Sequence, residues 1–429
     1  VVLTVRTYRE GDEGDIARLL RVCFPEFDRW GLTAEDWTSF EEVDYGFRRE
    51  NALVAELDGR IVGHLHVVLR RVYIGLSQVD VCGIANVATH PDFRGRGIAT
   101  ALMERALELC RERGLSLVSL LTGYGGDGYR VYRRLGFSNT MFLNVYVGAR
   151  DAVERFLRAG GGLGLDVEEV GESNLDTVIE LHEQWSRGVN LAVWRPRDYW
   201  VGKVVRRFFM YSFFYDRPEA SVRLLFKDSS KPVGYSLAFD PSAATRSYFP
   251  RDVGVVLEAV AADGLYLEEV VRETLRYLVS RGLKLFRLYL PATGTYGRFS
   301  RYFEEFKGPL LMDYVLDLGR LLRDLRAELS RRAESVSSTI SVTVKSPFSC
   351  ADLYISRGHV DVSTECSGRD VVEFTRDGLV KALYGIKPLG ELLVDPNHVE
   401  RVCASPKALE ELGRVLHERV VYVPRIDQW

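Results

Sequence analysis

The chain has 429 residues, more than one hydrophobic core normally fills, so two or three domains are expected. Apolar residues make up 46% and charged residues 27%, the balance of an ordinary globular protein, and no apolar run reaches the ~18–20 residues that a membrane span needs. A net charge of −3 lacks the basic excess of a nucleic-acid binder, and VVLTVRTYREGDE lacks the basic-then-apolar order of a secretory signal, so a cytoplasmic protein is expected.

Residues 1–150 alternate strands and helices. LTVRTY reads as a short strand, and DEGDIARLLRVCF places Ile16, Leu19, Leu20 and Cys23 at helical spacing. ALVAEL and IVGHLHVVL are strands joined by Asp58-Gly59, a hairpin signal. VDVCGIANVATH is a further strand. Ile98 to Arg113 is an amphipathic helix with Ile98, Leu102, Ala106 and Leu109 on one face, ended by Gly114. LSLVSLLTG is the next strand, GYRVYRRLGF a short helix and MFLNVYVG a closing strand. The glycine cluster AGGGLG reads as a linker. A second α/β block runs over 160–318, in which YSFFY (Tyr211–Tyr215) reads as core or an interface strand. A third, 321–429, opens with the helix LGRLLRDLRAELSRRAES and continues in the strands TISVTVKS and ADLYISRGHVDVST.

RERGLSLVSLLTG (Arg111–Gly123) is echoed by VSRGLKLFRLYLPATG (Val279–Gly294): in both, a helix ends at Arg-Gly-Leu and a buried strand begins. The pattern predicts the same fold twice. The loops before the helices differ. The first copy reads THPDFRGRGIA, the second only AADGLY, without an arginine and with one glycine.

Arg94-Gly95-Arg96-Gly97-Ile98-Ala99 fits R-x-x-G-x-A at a strand-to-helix junction. Glycines admit a close backbone approach and present consecutive N–H groups, and the helix that starts here aims its positive end at the loop. Together they form a cradle for a pyrophosphate, to which Arg94 and Arg96 can add charge-assisted bonds. The segment is neither a P-loop, lacking Gly-Lys-Ser/Thr, nor the dinucleotide fingerprint G-x-G-x-x-G after a first strand.

With this loop and the downstream segment GYRVYRRLGF, which fits Y-x-x-x-G-F, residues 1–150 resemble the GNAT superfamily of N-acetyltransferases. The resemblance implies acetyl-CoA as co-substrate, no metal, and a splayed pair of central strands. Between these the pantetheine arm would pair with the backbone of Val87, Ala88 and Thr89. Arg94, Gly95, Arg96, Gly97, Ile98 and Ala99 would hold the pyrophosphate. The amine would attack the thioester directly, with Tyr132 as the acid that protonates the departing thiolate. Tyr129, one turn earlier, is the rival.

The whole layout resembles the enhanced intracellular survival (Eis) family: an α/β (α+β) chain of tandem GNAT folds plus a C-terminal α/β domain similar to sterol carrier proteins. The implied parts are a catalytic domain at 1–150, a degenerate GNAT-like domain at 160–318, and a sterol-carrier-like domain at 321–429 whose tail reaches the active site. That family's terminal carboxylate on an aromatic last residue acts as base, which here implicates Trp429; Asp80 or a strand-held water is the alternative. The family also implies a homo-oligomer, a hexamer, acting on an aminoglycoside-like amine or on a lysine or peptide amine. No nucleic-acid or membrane partner is expected.

CFPEFDRWGLTAEDWTSFEE mixes aromatics with carboxylates, as a cationic acceptor would require, and Asp28, Trp30 and Trp37 are the candidate acceptor residues. An amphipathic helix with a solvated acidic face fits the same residues. His64 and His66 share one strand face but lack a third ligand at readable spacing. The six cysteines form no C-x-x-C pair and are expected to be reduced and buried, although Cys350 and Cys366 flank a hairpin and could meet. The rival reading is a binding protein whose third domain carries an apolar ligand. Transfer of another acyl group is also open, because the loop reads the pyrophosphate and not the acyl chain.

Overall fold

The computed structural model describes residues 3–160, 162–206 and 217–428; Tyr211–Tyr215 and Trp429 lie outside them. The first half contributes β1 (Leu3–Thr7), β2 (Ala52–Leu57), β3 (Arg60–Ile74), β4 (Ser77–Thr89), β5 (Leu117–Thr122) and β6 (Ser138–Ala149). The second contributes β7 (Asp166–Glu169), β8 (Ser221–Asp228), β9 (Lys231–Phe239), β10 (Val253–Ala261), β11 (Leu285–Leu288) and β12 (Glu304–Val315). All twelve form one sheet in the order β1-β2-β3-β4-β5-β12-β6-β11-β10-β9-β8-β7.

This order reads alike from both ends, because each half lends its last strand to the other. β12 pairs with β5 (Leu311 opposite Leu121) and β6 pairs with β11 (Val147 opposite Arg287), while β6 and β12 pair with each other at the centre. The echo seen in the sequence is therefore a structural repeat, with exchanged closing strands.

Helices cover the sheet: α1 (Glu13–Cys23), α2 (Pro25–Trp30), α3 (Ala34–Val43), α4 (Ile98–Glu112), α5 (Asp127–Leu135), α6 (Arg150–Arg158), α7 (Leu175–Ser186) and α8 (Gly264–Ser280). Local chemistry explains their ends. Gly31 stops α2 in the left-handed region (φ 74°), and a Thr33–Asp36 capping box starts α3. The apolar face read for α4 is buried through Ile98, Leu102 and Ala106.

The third block holds a separate five-stranded sheet made of β13 (Ile340–Ser346), β14 (Ser349–Ser356), β15 (His359–Ser363), β16 (Asp370–Phe374) and β17 (Val399–Cys403), in the order β15-β14-β13-β16-β17. The single helix expected before it is divided at Leu325 (φ −82°, ψ −4°) into Leu318–Asp324 and Arg326–Arg332.

The expectation of reduced, buried cysteines fails for two pairs. Cys82 on β4 is bonded to Cys110 on α4, with Cα atoms 6.2 Å apart, and Cys350 to Cys366, 5.9 Å apart. α4 lies across β4, so Cys82 and Cys110 meet through space over 28 residues that show no cysteine motif. Cys23 is half-buried and Cys403 exposed. Among the described residues no helix is long and apolar enough to cross a membrane.

Candidate active site

β4 and β5 run in parallel register only from Val81–Leu117 to Ile84–Leu120. Beyond that point they part, for two local reasons. On β4, Asn86 and Val87 together oppose the single residue Leu65 of β3, a bulge that re-aims the strand. Asn86 takes a left-handed backbone (φ 53°), which asparagine tolerates better than most residues, and its carbonyl accepts a bond from His64 Nδ1 at 3.1 Å. On the other side, Leu121 and Thr122 are held by β12. The result is a cleft of about 880 Å³ between the strands.

His64 and His66, read as a possible metal pair, belong to this bulge. Both are buried. His66 Nε2 bonds the Arg48 carbonyl at 3.0 Å, and the rings pack against Trp37. Burial pushes His64 down to about 4 and His66 to about 3, so both are neutral at pH 7. Among the described residues no group of three potential metal ligands converges.

Val87, Ala88 and Thr89 line one wall of the cleft on the β4 edge that β5 has left. At its mouth stand Arg94, Gly95, Gly97, Ile98 and Ala99. Gly95 (φ 76°) and Gly97 (φ 78°) use backbone that side-chain-bearing residues adopt at a cost, and space is open where a Cβ would stand. Gly97 caps α4 without a side-chain bond, so the first N–H groups of the helix face the cleft mouth unclaimed by a capping side chain. Arg94 Nε reaches the Thr89 carbonyl at 3.4 Å. Arg96 is exposed, does not line the cleft and lies over the Phe93 ring at 5.3 Å.

The equivalent helix start in the second half is closed. The Asp263 carboxylate caps α8 by accepting from Leu265 N at 2.8 Å and Tyr266 N at 3.0 Å. The donors that an anion would need are satisfied there, and the negative charge would repel a phosphate.

Tyr132, on α5, lies in the wall and is only 6% exposed. A Cβ on Gly128 would come 3.4 Å from its hydroxyl and 3.6 Å from Thr122 Oγ1, so a glycine there leaves that hydroxyl room. Tyr129 points elsewhere: its hydroxyl accepts from Asn139 Nδ2 at 3.2 Å and its ring packs on Tyr124. Of the two candidate tyrosines, only Tyr132 borders the cleft.

The opposite wall comes from the α1–α2 junction and from the second half: Cys23, Phe24, Glu26, Phe27 and Tyr248. Cys23 Sγ–H donates to the Thr89 carbonyl at 3.4 Å, and burial pushes its thiol up. Burial likewise raises the Tyr248 phenol, opposed by the nearby Arg425 guanidinium. Glu26 lay in the aromatic–acidic segment already singled out; Tyr248, more than two hundred residues away, carried no sequence signal.

The structure does not bring Asp28, Trp30 and Trp37 to this cleft. Trp30 is buried under the Arg246 guanidinium, 4.1 Å from its ring centroid. Trp37 is buried in the core between Tyr8 and the two histidines. Asp28 pairs with Arg21 on the outer face at 3.0 Å. Large apolar rings at helical spacing bury themselves, and that force outweighs the aromatic–acidic pattern. Asp80, the alternative base, is bonded to Arg71 at the far end of β4, away from the cleft.

Trp429 lies outside the described residues, but the segment before it is held inside the molecule. Asp427 is fully buried; it accepts two bonds from Arg195 Nε at 3.0 Å, and one each from Arg195 Nη2 and the Tyr199 hydroxyl at 2.6 Å. Arg195 also bonds Glu258 with both terminal nitrogens. Arg425 lies over the rings of Tyr248 and Tyr289, which connects the tail to the cleft wall.

Residues 4–140 match the family described as an acetyltransferase (GNAT) domain. The chain is 30% identical over 136 residues to an uncharacterized N-acetyltransferase of Methanocaldococcus jannaschii, covering 31% of this chain and 60% of that relative. It is 30% identical over 121 residues to one of Archaeoglobus fulgidus, covering 27% of this chain and 80% of the relative. In fold it is similar along its whole length to a probable N-acyltransferase of unknown function from Enterococcus faecalis (TM-score 0.72, 12% identity, all of both chains). It is also similar to Eis1 from Mycobacterium abscessus (TM-score 0.60, 14% identity, 98% of this chain and 99% of that one). The parted strands and the glycine loop lie within the matched residues 4–140, and the chain belongs to the GNAT acetyltransferase family.

Proposed function

We propose that the chain is an acetyl-CoA-dependent N-acetyltransferase for a cationic primary amine. The observation that carries this reading is the contrast between two equivalent helix starts. Gly97 leaves the N-terminus of α4 open to the cleft, whereas Asp263 closes that of α8. In this reading α4, Gly95, Ile98, Ala99 and Arg94 hold the pyrophosphate, with exposed Arg96 adding charge from outside, and the free edge of Val87, Ala88 and Thr89 orients the pantetheine arm. Acetyl-CoA supplies a thioester carbonyl for the amine and a thiolate that leaves. Tyr132 donates its phenolic proton to that sulfur. Glu26 holds the incoming ammonium, which gives one proton to solvent before the neutral amine attacks. The proton that the acylated nitrogen then sheds returns Tyr132 to its phenol, and Phe24, Phe27 and Tyr248 surround the amine with aromatic faces.

The second half is read as a partner that keeps the sheet continuous and binds no coenzyme, and the third block as the sterol-carrier-like domain. A homo-oligomer belongs to the same reading. The test is thiol release from acetyl-CoA over a panel of polyamines, aminoglycosides, lysine peptides and neutral amines, beside calorimetry with coenzyme A. Turnover with the cationic amines supports the reading. Coenzyme A that fails to bind sinks it, and binding without release for any amine leaves only a coenzyme-binding protein.

A further inference from the structure

The helix that carries Tyr132 is held from outside the acetyltransferase half. α5 ends at Gly136, whose N–H returns to the Tyr132 carbonyl at 3.1 Å. Arg133, next to Tyr132, does not line the cleft. Its Nη1 donates to the Phe137 carbonyl at 2.8 Å and to Asp377 Oδ1 at 2.7 Å. The same Oδ1 accepts from the backbone N–H of Asn139 at 2.9 Å. Asp377 stands in the first turn of the third block's helix Arg376–Tyr384. The preceding residue, Arg376, packs on the Gly136 turn, where a Cβ would come within 2.9 Å of its Nη1. One carboxylate of the third block thus grips both sides of the turn that closes α5.

We propose that Asp377 is a positioning residue for proton donation by Tyr132, so that the third block sets the alignment of the acid as well as carrying the tail. The proposal rests on the assignment of Tyr132 above. Releasing the clamp leaves the cleft mouth at Gly95–Ala99 untouched, because none of those residues contacts α5 through Arg133 or Asp377. It frees the Tyr132 end of α5 to shift, and a displacement of ~1 Å at a reacting group can cost ~10²-fold in rate.

The test compares wild type, Asp377→Ala, Asp377→Asn, Tyr132→Phe and the double variant Asp377→Ala/Tyr132→Phe. Asp377→Ala should lower kcat about 10-fold with KM for acetyl-CoA within twofold. Asp377→Asn, which keeps the acceptor for Asn139, should recover part of the loss. In the Tyr132→Phe background, Asp377→Ala should cost nothing further. Amide hydrogen exchange, which needs no turnover, should rise in residues 129–137 of Asp377→Ala and stay unchanged in α4. A wild-type rate for Asp377→Ala, a loss that multiplies with that of Tyr132→Phe, or unchanged exchange in α5 would each overturn the clamp while leaving the transferase reading intact. A wild-type rate for Tyr132→Phe would overturn the acid assignment and the clamp together. A wild type inert toward every amine would overturn the transferase reading and the positioning role together, and raised exchange in Asp377→Ala would then show only that the contact holds α5.

Discussion

Asp427 and Arg195 form a fully buried ion pair with a 2.6 Å contact, and they join a tail segment to a second-half residue 232 positions away. Arg195 pulls the Asp427 carboxyl below its ordinary range against the effect of burial, and Glu258 shares the same guanidinium. Removing Arg195 strands two buried carboxylates, which costs about 3–5 kcal/mol or more, whereas removing Asp427 leaves Arg195 paired with Glu258 and loses only hydrogen bonds to a charged group, about 1.5–3 kcal/mol. In urea titration Arg195→Met, which strands Glu258 and Asp427 together, should therefore lower the unfolding free energy more than Asp427→Ala does, and Asp427→Ala should lower it by about 1.5–3 kcal/mol. Asp427→Ala should also reduce turnover, because Arg425, two residues earlier, packs on the cleft residue Tyr248. A melting curve unchanged by Asp427→Ala would show that the tail is not held by this pair.

Coenzyme stoichiometry follows from the two helix starts. The chain should bind one coenzyme A, and calorimetry reads the number directly. Gly97→Ala forces a Cβ into left-handed backbone (φ 78°) at the open N-terminus of α4 and should weaken binding about tenfold or more. Asp263→Ala should leave the number of sites at one, because the second loop also lacks the arginines. Two coenzymes per wild-type chain would refute the structural reading of the second half.

How much of this was legible in the sequence depends on range. The α4 loop was readable because its chemistry is local: glycines, arginines and a helix start lie within six residues. Tyr132 was readable for the same reason, through its spacing to Gly136 and Phe137. The opposite wall of the cleft was not. It joins Glu26 to Tyr248, and no short pattern links them. The exchange of β6 and β12 was equally hidden, since the repeat predicts what each half contains but not whose strand fills the gap beside β5. Trp30 and Trp37 show the opposite failure. Their position beside carboxylates suggested a cation site, while their size made them core. The Cys82–Cys110 bond was missed because contact between a strand and the helix across it has no fixed sequence separation.

Tyr132→Phe removes one oxygen from the cleft wall and should leave coenzyme affinity within twofold. If the phenol is the acid, kcat should fall by ~10²–10⁴-fold, most for amines whose attack makes thiolate departure limiting. Tyr129→Phe loses only the bond from Asn139 and should stay within a fewfold of wild type. The ratio of the two variants separates a proton donor from a packed ring.

The pH dependence of stability is set by groups that the fold holds in unusual states. Burial lowers His64 to about 4, His66 to about 3 and His182 to about 4 from their ordinary 6.5. Their folded-state pKa values lie below the unfolded ones, so their contribution is present above pH 6.5 and is lost as pH falls toward 4. Each costs up to about 1.4 kcal/mol per pH unit in that window, because the unfolded chain takes up a proton that the folded chain refuses. Asp313 has the opposite sign. It is buried at the centre of the sheet, where it accepts bonds from Ser119 and Thr140, and burial raises it to about 6 from 3.8. Its contribution is fully present below pH 3.8 and is lost as pH rises through 6. Between pH 6 and 4, then, three imidazoles weaken the fold while one carboxyl partly offsets them, and wild-type stability should fall with acidification. Asp313→Asn removes the offset. Measured by urea unfolding at half-unit pH steps, it should be more stable than wild type at pH 7, by about 2–3 kcal/mol at most, and should lose stability more steeply below pH 6. Parallel curves for the two proteins from pH 7 to 4 would mean that Asp313 is ionised in the folded chain throughout that range.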